Sequence, residues 1–359
     1  MNIREVIADL VFVVRAPIDG IEEAIDEVAN LSKAWRKIAT VMKVLNSPWA
    51  LPRNYRRELL GIANTYFSAG SDPSVTFMAL LNKYNALLNQ WSEWQGQALT
   101  AMIVMAIMIG VLSFLAILDV PPVVSIVGLV LIPMIHYFQV EVVKYDYVKP
   151  SIAAVITGVT AFTISQYILR LGLSITQLAL PIGIAAGAGF AALYMPQFTK
   201  FIRDYMGMSH RVLESFGELL TVPNPRPPRP VTIVERELRP LWEYAYSVGM
   251  REFIERVNIV VDSLITFIRR TVTTGLIYGP FTAVSYAFMI FVAYLLHGIN
   301  MTSMTGVSVP IALNPQTITL ALVPLAVTTA VITGKAIHSI GLGISLVPLF
   351  LLPIIPLVW

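Results

Sequence analysis

Apolar and polar positions follow two different rhythms along this chain. The shorter rhythm belongs to amphipathic helices. Ile21, Ile25, Val28, Leu31, Trp35, Ile38 and Met42 recur every three or four residues, which predicts one helix over residues 21–44. Asn46-Ser-Pro-Trp49 and Leu51-Pro52 break it. A second helix is predicted over residues 54–68, ending near Gly70. Asp72 and Pro73 then open a third helix, with Phe77, Leu81, Tyr84, Leu88 and Trp91 on one face. The longer rhythm is one of continuous apolar stretches, at residues 98–118, 123–140, 151–169, 175–194, 272–296, 318–333 and 340–358. Most of them approach or reach the ~20 residues that cross a bilayer core as helix.

Composition sharpens this into a class. Hydrophobic residues make up 56% of the 359 and charged residues only 13%, against roughly 25% charged in soluble domains. The pattern therefore predicts an all-α, polytopic membrane protein with about seven transmembrane helices and two helical-bundle segments outside the bilayer. The absence of cysteine excludes disulfides, thiolate catalysis and cysteine-ligated metals. A net charge of +3 gives no strong basic footprint for nucleic acid. The apolar run from Leu10 to Val14 lies between Asp9 and Arg15 and is too short for a signal-peptide core.

The boundaries follow from charge. Residues 1–97 form a first helical domain and 98–142 a transmembrane hairpin. Residues 143–150 are a short loop and 151–195 a second hairpin. Residues 196–270 form a second helical domain, and 271–359 hold the C-terminal transmembrane helices. Within this second domain, residues 197–270 carry eleven of the 25 Lys and Arg. Seven crossings put 24 of the 25 basic residues on one side, leaving only Arg170 opposite. The positive-inside rule makes that side the cytoplasm, so the N-terminus faces in and Trp359 faces out. Lys335 is read as part of a cytoplasmic turn between the last two spans.

The two cytoplasmic segments can be laid on each other. Ser68-Ala-Gly70 and Ser247-Val-Gly249 each follow aromatic residues and open a helix that runs into a span. Phe77, Leu81, Tyr84 and Leu88 on the first such helix match Phe253, Val257, Val260 and Leu264 on the second. This organisation resembles the type II secretion F domain family, the inner-membrane platform proteins of type II secretion, type IV pili and archaella. The glycines typical of its two bundles match Gly70 and Gly249. Pro196-Gln-Phe-Thr-Lys-Phe-Ile-Arg-Asp204 is similar to the opening helix of the second bundle in archaeal members, as are the extra hairpins. The resemblance implies a platform without enzymatic activity or cofactor, in the cytoplasmic membrane. Its partners would be a cytoplasmic secretion ATPase, pilin-like subunits and a second copy of itself, most simply in a dimer. Arg56, Arg57, Arg251 and Arg256 are the candidate partner-interface residues.

Other features carry weaker chemistry. Gly183, Gly187 and Ala191 make a small-residue ridge suited to helix packing. The four histidines have no metal spacing, and Gly334-Lys335 lacks the upstream glycine of a phosphate loop. No Asp or Glu falls inside a predicted span. That disfavours the alternative function, a transporter or channel with cytoplasmic regulatory bundles. Residues 223–230 (Pro-Asn-Pro-Arg-Pro-Pro-Arg-Pro) read as a polyproline II spacer or a docking peptide. Asn300-Met-Thr302 is a sequon in a loop expected outside.

Overall fold

The computed structural model describes residues 3–45, 51, 54–117, 145–168, 175–298, 315–337 and 339–358. The apolar stretch at 123–140, His136, Gln139, Arg170, His297, His338 and the sequon lie outside the described residues or have no described side chain. All the regular structure described is helical. The helices are α1 (Ile3–Asp19), α2 (Ile21–Leu31), α3 (Lys33–Leu45), α4 (Tyr55–Ser68), α5 (Pro73–Ile117), α6 (Val148–Thr163), α7 (Ile175–Thr221), α8 (Ile233–Val248), α9 (Arg251–Gly298), α10 (Pro315–Ala336) and α11 (Ile340–Leu351). A π turn (Ile164–Ile168) extends α6, and a 3-10 turn (Leu352–Ile354) joins α11 to the short α12 (Ile355–Val358).

The chain divides into two compact units. Unit 1 takes Met1–Trp94, Val140–Lys144 and Phe201–Thr271, and unit 2 the remainder. Both charged segments, expected as separate domains, thus enter one unit. The reason lies in α1, which sequence patterning did not single out as a helix. It is buried at twelve of its seventeen positions, from Ile3 to Pro17, with Arg4, Glu5, Arg15 and Asp19 on its one less buried side. A helix buried over so much of its surface needs cover from several neighbours. Phe12 stacks on Trp35 of α3 at 4.6 Å between centroids, and the Tyr84 hydroxyl of α5 donates to the Val6 carbonyl at 3.2 Å. The second segment supplies α8. There the Tyr244 hydroxyl donates to Asp19 at 2.6 Å, Arg15 lies over the Tyr244 ring, and Arg4 pairs with Glu237 at 2.9 Å.

The single helix expected over 21–44 is broken at Ser32, whose backbone is extended (φ −132°, ψ 133°). Ser32 Oγ accepts from the Trp35 amide at 3.2 Å and donates to Glu5 at 2.5 Å. Serine there caps α3 and turns both helices onto α1.

Unit 2 holds the apolar portions. Five described helical stretches are long and apolar enough to cross a membrane: Val148–Tyr167, Gln177–Thr221, Arg251–Leu295, Ile318–Ala336 and Ile340–Val358. The apolar window of α10 is 78% buried, whereas that of α6 is 17% buried, so α10 is central and α6 peripheral. α10 and α11 cross at backbone contact. A Cβ built on Gly343 would sit 2.6 Å from Val331 Cα. α9 packs beside them through its tyrosines. Tyr286 donates to the Phe350 carbonyl at 2.5 Å and Tyr294 to that of Pro353 at 2.6 Å. These donors serve carbonyls where the proline-containing end of α11 tightens to 3-10, as an apolar surrounding demands.

Candidate functional site

Unit 1 contains two helix–turn–helix elements that both turn at a left-handed glycine. In the first, α4 begins at Asn54, whose side chain accepts from the Arg57 amide at 3.0 Å. It ends at Gly70 with φ +64°. The Ser71 amide bonds the Tyr66 carbonyl and the Gly70 amide bonds that of Phe67, a Schellman closure. Asp72 then caps α5, accepting from the Ser74 amide at 2.7 Å. Those bonds from Ser74, first through its hydroxyl and then its amide, hold the Asp72 carboxyl below its usual range. In the second element, α8 begins at Thr232 in a capping box with Glu235. It ends at Gly249, also at φ +64°, with the Gly249 amide bonded to the Ala245 carbonyl. The apolar faces singled out on α5 and α9 are buried at all eight positions, from Phe77 to Leu88 and from Phe253 to Leu264.

Each element also carries a buried ion pair, with the charges reversed. Arg56 and Glu235 both stand fourteen residues before their glycines. Arg56 Nε donates to Asp9 Oδ1 at 2.7 Å, and its Nη2 reaches Asp9 Oδ2 at 3.2 Å and Glu5 at 2.8 Å. The Trp35 indole donates to Asp9 at 2.6 Å. Asp9 is 1% exposed. Its burial pushes the carboxyl up to about 6, against the opposing pull of Arg56. In the second element the acid lies on α8. Arg211 of α7 donates to Glu235, which is fully buried, at 2.6 Å, and to the Asp204 carbonyl at 2.9 Å.

The sequence-chosen residues therefore fall into different settings. Gly70 and Gly249 both turn the chain at φ +64° between two helices. Arg56 points into the core, with only 15% of its side chain exposed, and is held by Asp9 and Glu5 rather than offered to a partner. Arg57 donates to the Leu51 carbonyl at 3.1 Å and lines a surface groove of about 740 Å³ with Glu58, Tyr66 and Lys83. Lys83 and Glu58 pair across that groove. Arg251 is exposed and pairs with Glu255 at 3.0 Å. Arg256 lies 5.8 Å from the Phe77 ring centroid, so it joins the two elements. Sequence reading passed over Asp9, Glu235 and Arg211. The legible signal was a lone Asp inside an apolar run and a Thr-x-x-Glu box.

In unit 2, Gly183 and Gly187 lie against Leu351 and Pro348, at 2.8 and 2.5 Å from a built Cβ, so that ridge packs within the chain. Ala191 is partly buried on the same helix. Lys335, read from sequence as part of a cytoplasmic turn, is 5% exposed in the last turn of α10, where a cation offsets the negative end of the helix dipole. Near that end the Tyr194 hydroxyl bonds Ser339. Among the described residues, no group of three His, Asp or Glu is placed to hold a metal.

Taken together, these features define a membrane protein that is helical throughout its described residues and divides into two compact units, one rich in charge and one largely apolar. No family model, curated protein or solved structure matches the chain.

Proposed function

We propose that this protein is the membrane platform of a filament-assembly or secretion machine of the pilus or archaellum kind, in the cytoplasmic membrane. A cytoplasmic ATPase would act on its soluble unit, and the motion would serve to extract pilin-like subunits from the bilayer and add them to a filament. The protein itself would do no chemistry and would work as a homo-oligomer, most simply a dimer.

The observation that carries this reading is the duplicated element: helix, left-handed glycine turn, and a second helix that continues without interruption into apolar sequence. α5 spans 45 residues and α9 spans 48. A partner pushing on such an element has a rigid lever rather than a loop to work against. The mixed charges around the Arg57–Lys83 groove suit a reversible polar contact, because exposed charges govern approach and register more than affinity. Co-purification of the full chain from native membranes with a hexameric secretion ATPase is the test. A stable complex is expected. Failure to bind, together with solute flux through liposomes holding the pure protein, would replace this reading.

The second reading is a carrier with regulatory bundles, and Lys335 is the observation in its favour. An ionisable side chain buried among membrane-spanning helices usually marks a pathway. Under that reading Lys335→Met abolishes flux. Under the platform reading it changes stability alone.

A further inference from the structure

The run from Pro223 to Pro230 joins α7 to α8 within unit 1. Every one of its eight residues is a proline or immediately precedes one. Proline fixes its own φ and confines the preceding residue to extended conformations. Local sterics alone therefore hold this run near polyproline II, which repeats every three residues. The burial pattern has that period. Pro225 and Pro228 are buried, while Pro223, Asn224, Arg226, Pro227, Arg229 and Pro230 are exposed. The middle of the run is held by the Arg226 amide, which donates to Glu218 of α7 at 3.1 Å. Its end is held by the Val231 amide, which closes back on the Arg229 carbonyl at 2.8 Å. One edge is thus seated on the unit and two edges face outward.

Those two outward edges have different chemistry. Arg226 and Arg229 share one, and their guanidinium groups form no ion pair or side-chain hydrogen bond among the described residues. Pro227 and Pro230 share the other. From this we propose that residues 223–230 are a preformed docking ridge for a soluble protein whose groove has aromatic walls and a carboxylate rim. Prolines at three-residue spacing present flat apolar faces that pack on aromatic rings. The two arginines supply the complementary charge for the rim. An anionic lipid surface would use the arginines but gain nothing from the proline edge, so the observations favour a protein. Because the ridge is already ordered, its binding avoids most of the entropy that a free proline-rich peptide loses on docking.

The test uses the full chain in its native membrane, with a photo-crosslinking p-benzoylphenylalanine placed at Asn224, at the head of the proline edge. The expected result is an adduct to one soluble protein. Its crosslinked peptide should carry aromatic and acidic residues, and the adduct should be lost in both Arg226→Glu/Arg229→Glu and Pro227→Ala/Pro230→Ala. Both variants change exposed positions, and unchanged melting temperatures would show that they fold. The captured protein, once purified, should bind the intact chain more tightly than a peptide of residues 221–232. An adduct to lipid, to this chain or to a second copy of it would overturn the proposal. So would a protein adduct that survives the proline variant, or no adduct at all. None of these outcomes depends on whether the ATPase of the platform reading binds.

Discussion

At the scale of single residues, backbone conformation and buried charge separate what was visible in the sequence from what was not. Gly249 is chosen by its conformation alone, since a Cβ there meets nothing nearer than the Tyr246 carbonyl at 3.8 Å. Gly249→Val should therefore destabilise unit 1 by about 1–2 kcal/mol, and Gly249→Asn by less, because asparagine tolerates the left-handed region. Equal melting temperatures for the two variants would contradict this. The Ser-x-Gly spacing made the glycines legible. Arg56 was legible only as a surface cation, because an isolated Arg gives no sign of a carboxylate 47 positions earlier. Asp9 carries a second prediction. Its carboxyl is raised from 3.8 to about 6, so the fold binds this proton more tightly than the unfolded chain does. Its contribution to stability is largest at low pH and falls as pH rises through that window. Above the window the buried carboxylate costs about 3 kcal/mol relative to its protonated form. Asp9→Asn should flatten the difference in thermal stability between about pH 5 and about pH 7.5. An unchanged slope would assign the pH dependence to other groups. Arg56→Ala, which leaves Asp9 buried beside Glu5 with no cation, should cost about 3–5 kcal/mol at neutral pH.

At the scale of elements, periodicity predicted the helices with a broad polar face and missed the one whose polar side is narrow. α2 to α5 have solvent sides, so their apolar residues recur at helical spacing. α1 is buried at twelve of seventeen positions, and its Leu10–Val14 run has no period to read. The break at Ser32 was hidden for a related reason, since both helices present their apolar faces to α1 and the phase continues across the cap. Helix contacts in unit 2 were legible as glycine ridges, but their partners were not. Those partners now rank the glycines. At Gly183 an added Cβ meets only the end of the flexible Leu351 side chain, whereas at Gly343 it meets the Val331 backbone. Gly183→Ala should be tolerated. Gly343→Ala should force α10 and α11 apart at a cost of about 1–3 kcal/mol, and a thermal melt in detergent separates the two.

At the scale of the whole chain, the sharing of unit 1 by residues on both sides of the stretch 95–200 constrains topology in a way that no single span does. If unit 1 lies on one face of the membrane, the intervening chain crosses an even number of times. The four apolar stretches read there from sequence meet that requirement. Three further stretches after residue 271 then carry the C-terminus to the opposite face, in agreement with the distribution of basic residues. The sequence could not reveal the sharing itself, because the ties between α1 and α8 join residues more than 200 positions apart. The chain has no cysteine, so single cysteines report topology directly against a silent background. Met206 and Met250 are exposed at 76% and 59% on unit 1. Met206→Cys and Met250→Cys should react with a membrane-impermeant maleimide only after the cytoplasmic face is opened, and Arg170→Cys should react from outside in intact cells. Labelling of Met206→Cys and Arg170→Cys from the same face would mean that the 175–194 stretch does not cross, and would break the count of four. Labelling of Met206→Cys without opening the membrane would reverse the orientation, and unit 1 could then not be the surface on which a cytoplasmic ATPase acts.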